Sequence, residues 1–107
     1  MTFIEQIDAA YFFLTGRSEV KSMEIQAGIL KALAHPHRLE LVTRLKADGC
    51  NVSEIQSNLG LPQSTISHHL RILKNAGILS SRRDGTTVCY SIEIDEIKEI
   101  LNILAGI

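Results

Sequence analysis

Apolar residues recur every three or four positions in five successive segments that together occupy the first 76 residues of the chain. That period is typical of amphipathic helices. The five segments are about 3–14, 22–34, 36–48, 52–59 and 62–76. Asn51 and Glu54 have the spacing of a capping box at the start of the fourth helix. Because only a few residues separate the last two segments, they are predicted to form a helix-turn-helix.

The period of the apolar residues shortens to two near residue 78, which predicts β-strands. The strands, 79–83 and 86–92, flank Asp84-Gly85, a dipeptide favoured in hairpin turns because both turn residues need positive φ. A last helix is predicted over about 94–105. The predicted fold is mainly α with a small β-hairpin, in the order α-α-α-α-α-β-β-α.

The fifth predicted helix has one apolar and one polar face. Ile66, Leu70 and Leu73 recur at helical spacing and define the buried face. The polar face carries Gln63, Ser64, Thr65, Ser67, His68, Arg71 and Lys74. Short hydrogen-bonding side chains near the helix start, with cations further along, suit a helix that enters the major groove of DNA. The alternative is the solvated face of an ordinary amphipathic helix.

The net charge of −1 conceals an uneven distribution along the chain. Residues 61–90 carry four basic side chains and one acidic side chain, whereas residues 1–30 and 91–107 are each net acidic. Local charge sets the attraction to phosphates, so the middle of the chain suits DNA. Arg82 and Arg83, beside the predicted turn, suit the minor groove or its flanking phosphates. Alternatively, they protect a strand edge from aggregation.

Five stretches of the sequence resemble the ArsR/SmtB family of small winged-helix repressors. They are ALAHPHRL (32–39), VSEI (52–55), LPQSTISHHL (61–70), LKNAGI (73–78) and GTTVCYSI (85–92). The resemblance covers about residues 25–104 and implies a homodimeric repressor that binds a palindromic DNA operator and is released by an inducer. It also implies which side chains meet DNA: the bases would be approached by Gln63, Ser64, Thr65, Ser67 and His68, with Arg82 and Arg83 on the wing.

The first and last predicted helices carry more apolar side chains than a minimal winged-helix core needs. We therefore expect each to pack against its counterpart in a twofold dimer. The predicted interface residues are Ile4, Ile7, Tyr11, Ile94, Ile97, Leu101 and Leu104. The single domain 1–107 then divides into an N-terminal dimerisation helix (1–21), a DNA-binding core (22–92) and a C-terminal dimerisation helix (93–107). The alternative is that the two helices only cap their own domain.

The sequence lacks the residues of both metal sites that are found in members of the family it resembles. A Cys-x-Cys-Asp core would fall at residues 51–54, which contain no cysteine, and the last helix contains no histidine. No metal or cofactor is therefore predicted, and the inducer is unidentified. Cys50 and Cys89 leave two alternatives open. They form a thiol sensor, through a disulfide or a soft metal, or they are small apolar fillers.

The four histidines form two close pairs in the sequence. His35 and His37 flank Pro36 at a helix start, where capping and surface roles are expected rather than a zinc site. His68 and His69 point about 100° apart on a helix, so they cannot both bind one metal ion. His68 is expected to face DNA, and His69 to pack near the core or the hairpin.

Other functional classes find no support in the sequence. No nucleophile with its base, no phosphate loop and no apolar run of about 20 residues is present, so neither an enzyme nor a membrane protein is expected. The N-terminal residues do not resemble a secretory signal, and two cysteines suit a reducing cytoplasm. The rival hypothesis is a winged-helix module that binds only proteins, which would not need the basic and polar side chains on one surface.

Overall fold

The computed structural model describes residues 19–49 and 52–107. Within these ranges the chain forms five helices and one two-stranded antiparallel sheet. The elements are α1 (Glu19–Leu33), α2 (Pro36–Asp48), α3 (Val52–Leu59), α4 (Gln63–Asn75), β1 (Leu79–Asp84), β2 (Thr87–Ile92) and α5 (Asp95–Ala105). The predicted helix 3–14 and the residues Ile4, Ile7, Tyr11, Cys50 and Asn51 lie outside the described residues. Elsewhere the predicted succession of helices and strands is confirmed.

Local chemistry explains where α2 begins and ends. His35 precedes the helix in an extended conformation, and its Nδ1 accepts a hydrogen bond from the His37 N–H at 3.1 Å. Pro36 lacks an N–H group and suits the first helical position. At the other end, Gly49 has a φ of 75°, a conformation that favours glycine, and its N–H donates to the Leu45 carbonyl. The predicted capping role of His35 is therefore confirmed.

The hairpin turn lies one residue further along the chain than the sequence predicted. Asp84 pairs with Thr87, so the two turn residues are Gly85 and Thr86. Gly85 has a φ of 64°, and among the described residues only glycines have positive φ. Positive φ at the first turn residue alone is the requirement of a type II′ turn, which matches the strand twist. The prediction that Asp84 occupies the turn is wrong, because Asp84 remains in the strand ladder.

The core of the chain is aliphatic and draws on all five helices. Its fully buried side chains include Leu41 and Val42 of α2, Ile55 of α3, and Ile66 and Leu73 of α4. Burial of one such side chain contributes roughly 1.5–3 kcal/mol to stability. The other buried apolar residues are Ala32, Leu33, Leu45, Leu70, Ile78, Leu79, Ile97 and Leu101. The predicted apolar face of α4 is therefore attached to the core, and its polar face is turned outward.

Helix α1 keeps apolar side chains that the core of the single chain does not cover. Leu33 is buried, but Ile25 and Leu30 are 59% and 57% exposed. Successive residues of a helix are about 100° apart, so apolar residues at neighbouring positions cannot all face one core. No described helix combines the length and the apolar composition that crossing a bilayer requires.

Helix α5 divides its apolar side chains between the core and the surface. Ile97 and Leu101, which the sequence assigned to the dimer interface, instead lie in the core of the single chain. Ile94 is half-buried, whereas Leu104 and Ile103 are 44% and 72% exposed. The buried residues are four positions apart and so lie on one side of the helix, which the core covers. The surface available to a partner is therefore the C-terminal part of α5.

Candidate nucleic-acid interface

The outer face of α4 is polar and open. Its exposed residues are Gln63, Ser64, Ser67, His68, Arg71 and Lys74, while Thr65 is half-buried. Ile66, Leu70 and Leu73 lie buried on the opposite side, together with His69. Apart from Lys74, none of these outward side chains forms a hydrogen bond to the described part of the chain. Their donors and acceptors are therefore available to an external partner.

A tight connection holds α4 against α3. Gly60 has a φ of 66° and donates its N–H to the Gln56 carbonyl at 3.2 Å, which ends α3. The Pro62 carbonyl then accepts from the N–H groups of Thr65 and Ile66 and begins α4. The two helices are thus separated by three residues, 60–62, as a helix-turn-helix requires. This connection is short enough to fix α4 relative to the rest of the motif.

The hairpin is tied directly to α4. The Lys74 ammonium donates a hydrogen bond to Ser81 Oγ of β1 at 2.6 Å. Lys74 was predicted only as a DNA contact, and Ser81 was not predicted to take part in the site at all. Because an ammonium group has three donors, Lys74 can hold Ser81 and still reach a phosphate. No local sequence signal indicates this pair, since the two side chains meet only when β1 packs beside α4.

Arg82 and Arg83 are both exposed near the hairpin tip, but they point to opposite faces of the sheet because side chains alternate along a strand. Arg83 shares its face with Ser81, the residue bonded to α4. Arg82 lies on the other face, opposite Cys89 in the strand register. Neither arginine forms an ion pair with any described residue. The hairpin therefore presents a cation on each face, and neither cation is held in an ion pair with a described residue.

Cys89 lies in β2 and takes part in a disulfide. The sequence contains one other cysteine, Cys50, which lies outside the described residues. Cys89 pairs with Arg82 of β1 in the strand register. The disulfide therefore lies in the hairpin, beside one of its two arginines.

A cluster of three histidine rings lies behind the outer face of α4. The rings of His35 and His69 are 4.6 Å apart, and His37 lies 5.3 Å from His35 and 5.9 Å from His69, measured between centroids. His69 is only 6% exposed. Arg38 lies beside them, with Nη1 3.4 Å from His69 Nδ1. The prediction that His69 packs near the core is borne out, but the partnership with Arg38 was missed.

The environment of the cluster disfavours protonation of two of its rings, those of His35 and His69. Burial lowers the pKa of His69, and the positive charges of His35 and Arg38 lower it further. Partial desolvation also lowers the pKa of His35, with smaller contributions from Arg38 and His37. In the described part of the chain, no three histidine, cysteine or acidic side chains are arranged to hold a metal ion. The cluster therefore disfavours protonation of His35 and His69, and it lies beside one guanidinium.

The fold and the open polar helix define a winged helix-turn-helix protein, and comparison with known proteins gives its family. Residues 35–81 match the family described as "Bacterial regulatory protein, arsR family". An HTH-type transcriptional regulator of Methanocaldococcus jannaschii is 42% identical over 79% of this chain and 97% of its own length. The transcriptional repressor PagR of Bacillus anthracis is 38% identical over 86% of this chain and 93% of its own length. The chain belongs to the ArsR family of DNA-binding transcriptional regulators.

Solved structures agree with this assignment. The crystal structure of PagR superposes with a TM-score of 0.72 at 39% identity, covering 80% of this chain and 99% of PagR. HlyU from Vibrio cholerae gives a TM-score of 0.73 at 32% identity, covering 78% of this chain and 91% of HlyU. These relatives are transcriptional regulators and not enzymes, which confirms the expected class. They also confirm the winged helix-turn-helix fold.

Proposed function

We propose that the chain is a homodimeric repressor that reads a palindromic DNA operator with α4 and contacts the flanking backbone with the β1–β2 wing. The observation that carries the proposal is the outer face of α4, where short polar side chains and Arg71 have no partner in the described chain. Small side chains near the helix start allow the backbone to approach base edges closely. Gln63, Ser64, Thr65, Ser67 and His68 are then the base-reading residues, and Arg71, Lys74, Arg82 and Arg83 meet phosphates or the minor groove.

The homodimer is supported by the distribution of exposed apolar side chains. In the described residues, the large ones all lie in α1, at the end of α5 or just after it: Met23, Ile25, Leu30, Ile103, Leu104 and Ile107. Single exposed apolar residues are ordinary, but a concentration on two helices marks an interaction surface. A related domain from Mycobacterium bovis, 26% identical with a TM-score of 0.74, is described as a homodimeric winged helix-turn-helix DNA-binding domain. We therefore assign these two helices to a twofold interface.

A twofold dimer determines the form of the operator. Two copies of α4 related by a twofold axis read two inverted half-sites about one helical turn apart, roughly 34 Å. Binding represses transcription when such a site overlaps the promoter, and the related PagR of Bacillus anthracis is named a transcriptional repressor. HlyU of Vibrio cholerae is named a transcriptional activator, so the sign of regulation needs its own measurement. A reporter gene placed behind the operator gives that sign. If the protein is a repressor, reporter output rises when the gene for the protein is deleted.

Binding of the purified protein to an inverted-repeat operator from the promoter of its own gene tests the DNA-reading function. A plot of the logarithm of the association constant against the logarithm of the salt concentration should have a slope of about −5, if three cations of each protomer contact phosphates. A duplex of scrambled sequence is the matched control and should bind at least about 1,000-fold more weakly. Equal affinity for both duplexes, or no binding to either, would instead favour a winged-helix module that recognises proteins.

We further propose that oxidation of the cysteines releases the operator. The support is the disulfide at Cys89, which lies in the wing strand opposite Arg82. Reduction by a dithiol breaks the sulfur–sulfur bond and adds two electrons and two protons to give two thiols. We expect the reduced protein to bind the operator more tightly than the oxidised protein. Cys50→Ser and Cys89→Ser should each remove the difference, and a full redox response in either variant would contradict the proposal.

A further inference from the structure

We infer that Arg38 and His69 form a positioning pair that holds the recognition helix α4 against α1 and α2. The pair forms only while the His69 ring is neutral, so acidification weakens operator recognition. The inference rests on the DNA-reading role proposed for α4. Its structural half, the coupling of α4 to α2, is independent of that role.

The geometry of Arg38 connects three helices. Arg38 lies in α2, and its Nε donates a hydrogen bond to the carbonyl of Ala32 near the end of α1. Its Nη1 lies 3.4 Å from Nδ1 of His69, a residue of α4 that is 31 positions away in the chain. One half-buried guanidinium therefore joins the end of α1 to the recognition helix. His69 is adjacent in sequence to the base-reading residue His68, so a shift of His69 moves the DNA-reading face.

The contact specifies the protonation state of His69. A guanidinium has only donors, so His69 Nδ1 must be the acceptor, and the ring must be neutral. Protonation would replace that lone pair with an N–H and place a positive ring beside Arg38. His35 obeys the same rule, because its Nδ1 accepts from the His37 N–H at 3.1 Å. Adding a proton at either Nδ1 therefore removes a hydrogen bond that holds the cluster together.

Within residues 19–49 and 52–107, all the ionisable groups that face His69 oppose its protonation. From α2 and the residue before it they are His35, His37 and Arg38, and from α4 itself the neighbour is His68, whose ring centroid lies 5.9 Å away. Among the described residues no carboxylate forms an ion pair with any of these side chains. Burial and these positive neighbours lower the pKa of His69 below its ordinary 6.5. The ring is therefore neutral near pH 7.

The sign of the pH effect follows from the lowered pKa. The unfolded chain takes up a proton at His69 more readily than the folded chain does, so stability falls as the pH drops below about 6.5. The same proton breaks the contact with Arg38 and loosens α4. Protonated histidines attract phosphates of any sequence, so non-specific binding is expected to strengthen at low pH. The informative quantity is thus the ratio of operator affinity to scrambled-duplex affinity.

The central variant is His69→Gln, because the glutamine carbonyl can still accept from Arg38 but does not titrate. For the parent protein we expect the affinity ratio to fall several-fold from pH 7.5 to pH 5.5, because protonation of His69 removes the acceptor for Arg38. His69→Gln should keep the parent's ratio at pH 7.5 and lose most of this pH dependence. Arg38→Lys, which keeps the charge but loses the planar donors, should lower the ratio already at pH 7.5. A pH dependence in His69→Gln equal to that of the parent overturns the inference.

A second measurement does not need DNA. The thermal midpoint Tm of the parent should fall on acidification through pH 6.5, and this fall should be smaller in His69→Gln. His68→Gln is the matched control, because it makes the same change on the next, exposed residue and leaves the Arg38 contact in place, so its fall in Tm should remain larger than that of His69→Gln. An unchanged Tm profile in His69→Gln excludes the pair. If the Tm profile responds as expected but no duplex binds at any pH, the proposed DNA function fails while the Arg38–His69 coupling stands.

Discussion

Lys74 of α4 and Ser81 of β1 form a hydrogen bond of 2.6 Å that joins the recognition helix to the wing. The two residues are seven positions apart in the chain, and the connection between them turns at Gly77, which has a φ of 80°. The bond sets where the wing begins relative to the exposed face of α4. The two proposed DNA-contacting elements are therefore connected directly by their side chains.

This bond predicts that Lys74→Ala and Ser81→Ala have non-additive effects on operator binding. If the bond is the main role of Lys74, each variant weakens binding by about 1 kcal/mol or less, because the pair is exposed, and the double variant is no weaker. If Lys74 instead contacts phosphate, Lys74→Ala alone flattens the salt slope, by about 1.8 for the two copies in a dimer. Binding titrations of the three variants at several salt concentrations distinguish the two roles.

The second prediction concerns base reading by α4. Ser67→Ala and His68→Ala should each lower discrimination between the operator and a duplex with altered half-sites by about 1–3 kcal/mol. Competition titrations with matched duplexes measure this difference. Ser57→Ala on α3 is the control, because an exposed serine outside α4 should leave discrimination unchanged. Full discrimination in both α4 variants would remove Ser67 and His68 from the set of base-reading residues.

The third prediction separates the two arginines of the wing, which lie on opposite faces of the hairpin. Arg83 lies on the same face of the hairpin as Ser81. If this face, which is nearer α4, meets DNA, Arg83 should make the phosphate contact. Arg83→Gln should then weaken all duplexes alike and flatten the salt slope by about 1.8 per dimer, while Arg82→Gln has a smaller effect. Arg44→Gln, which removes an arginine paired with Glu40 on α2, is the charge-matched control. Parent-like binding by the Arg82/Arg83 double variant would show that the wing makes no contact.

The fourth prediction concerns the exposed apolar side chains of α5. Ile103→Ser and Leu104→Ser should shift the protein towards monomers in sedimentation experiments, because each loses roughly 1.5–3 kcal/mol of burial at the interface per side chain. Ile97→Ala is the contrasting variant. It should lower the free energy of unfolding by about 2–5 kcal/mol, because Ile97 lies in the core of its own chain. A dimer unaffected by both serine variants would place the interface elsewhere.

Most of the fold was accessible from local patterns. The bounds of α2, α3 and α4 were predicted to within one residue, because helical period, Pro36, Gly49 and Gly60 act over one or two turns. The buried face of α4 was correct for the same reason, and the outward face followed from it. The hairpin was predicted but its turn was displaced by one residue, since Gly85 alone supplies the positive φ.

The amino-acid sequence by itself thus determined the elements of this protein and the polar surface of α4, because hydrogen bonding and side-chain period along a helix are local properties. Only the tertiary structure decided that Ile97 and Leu101 fill the core while Ile25 and Leu30 stay exposed. It also brought Arg38 to His69 across 31 residues and Lys74 to Ser81. Such contacts depend on how helices pack against one another, and no short stretch of sequence specifies that packing.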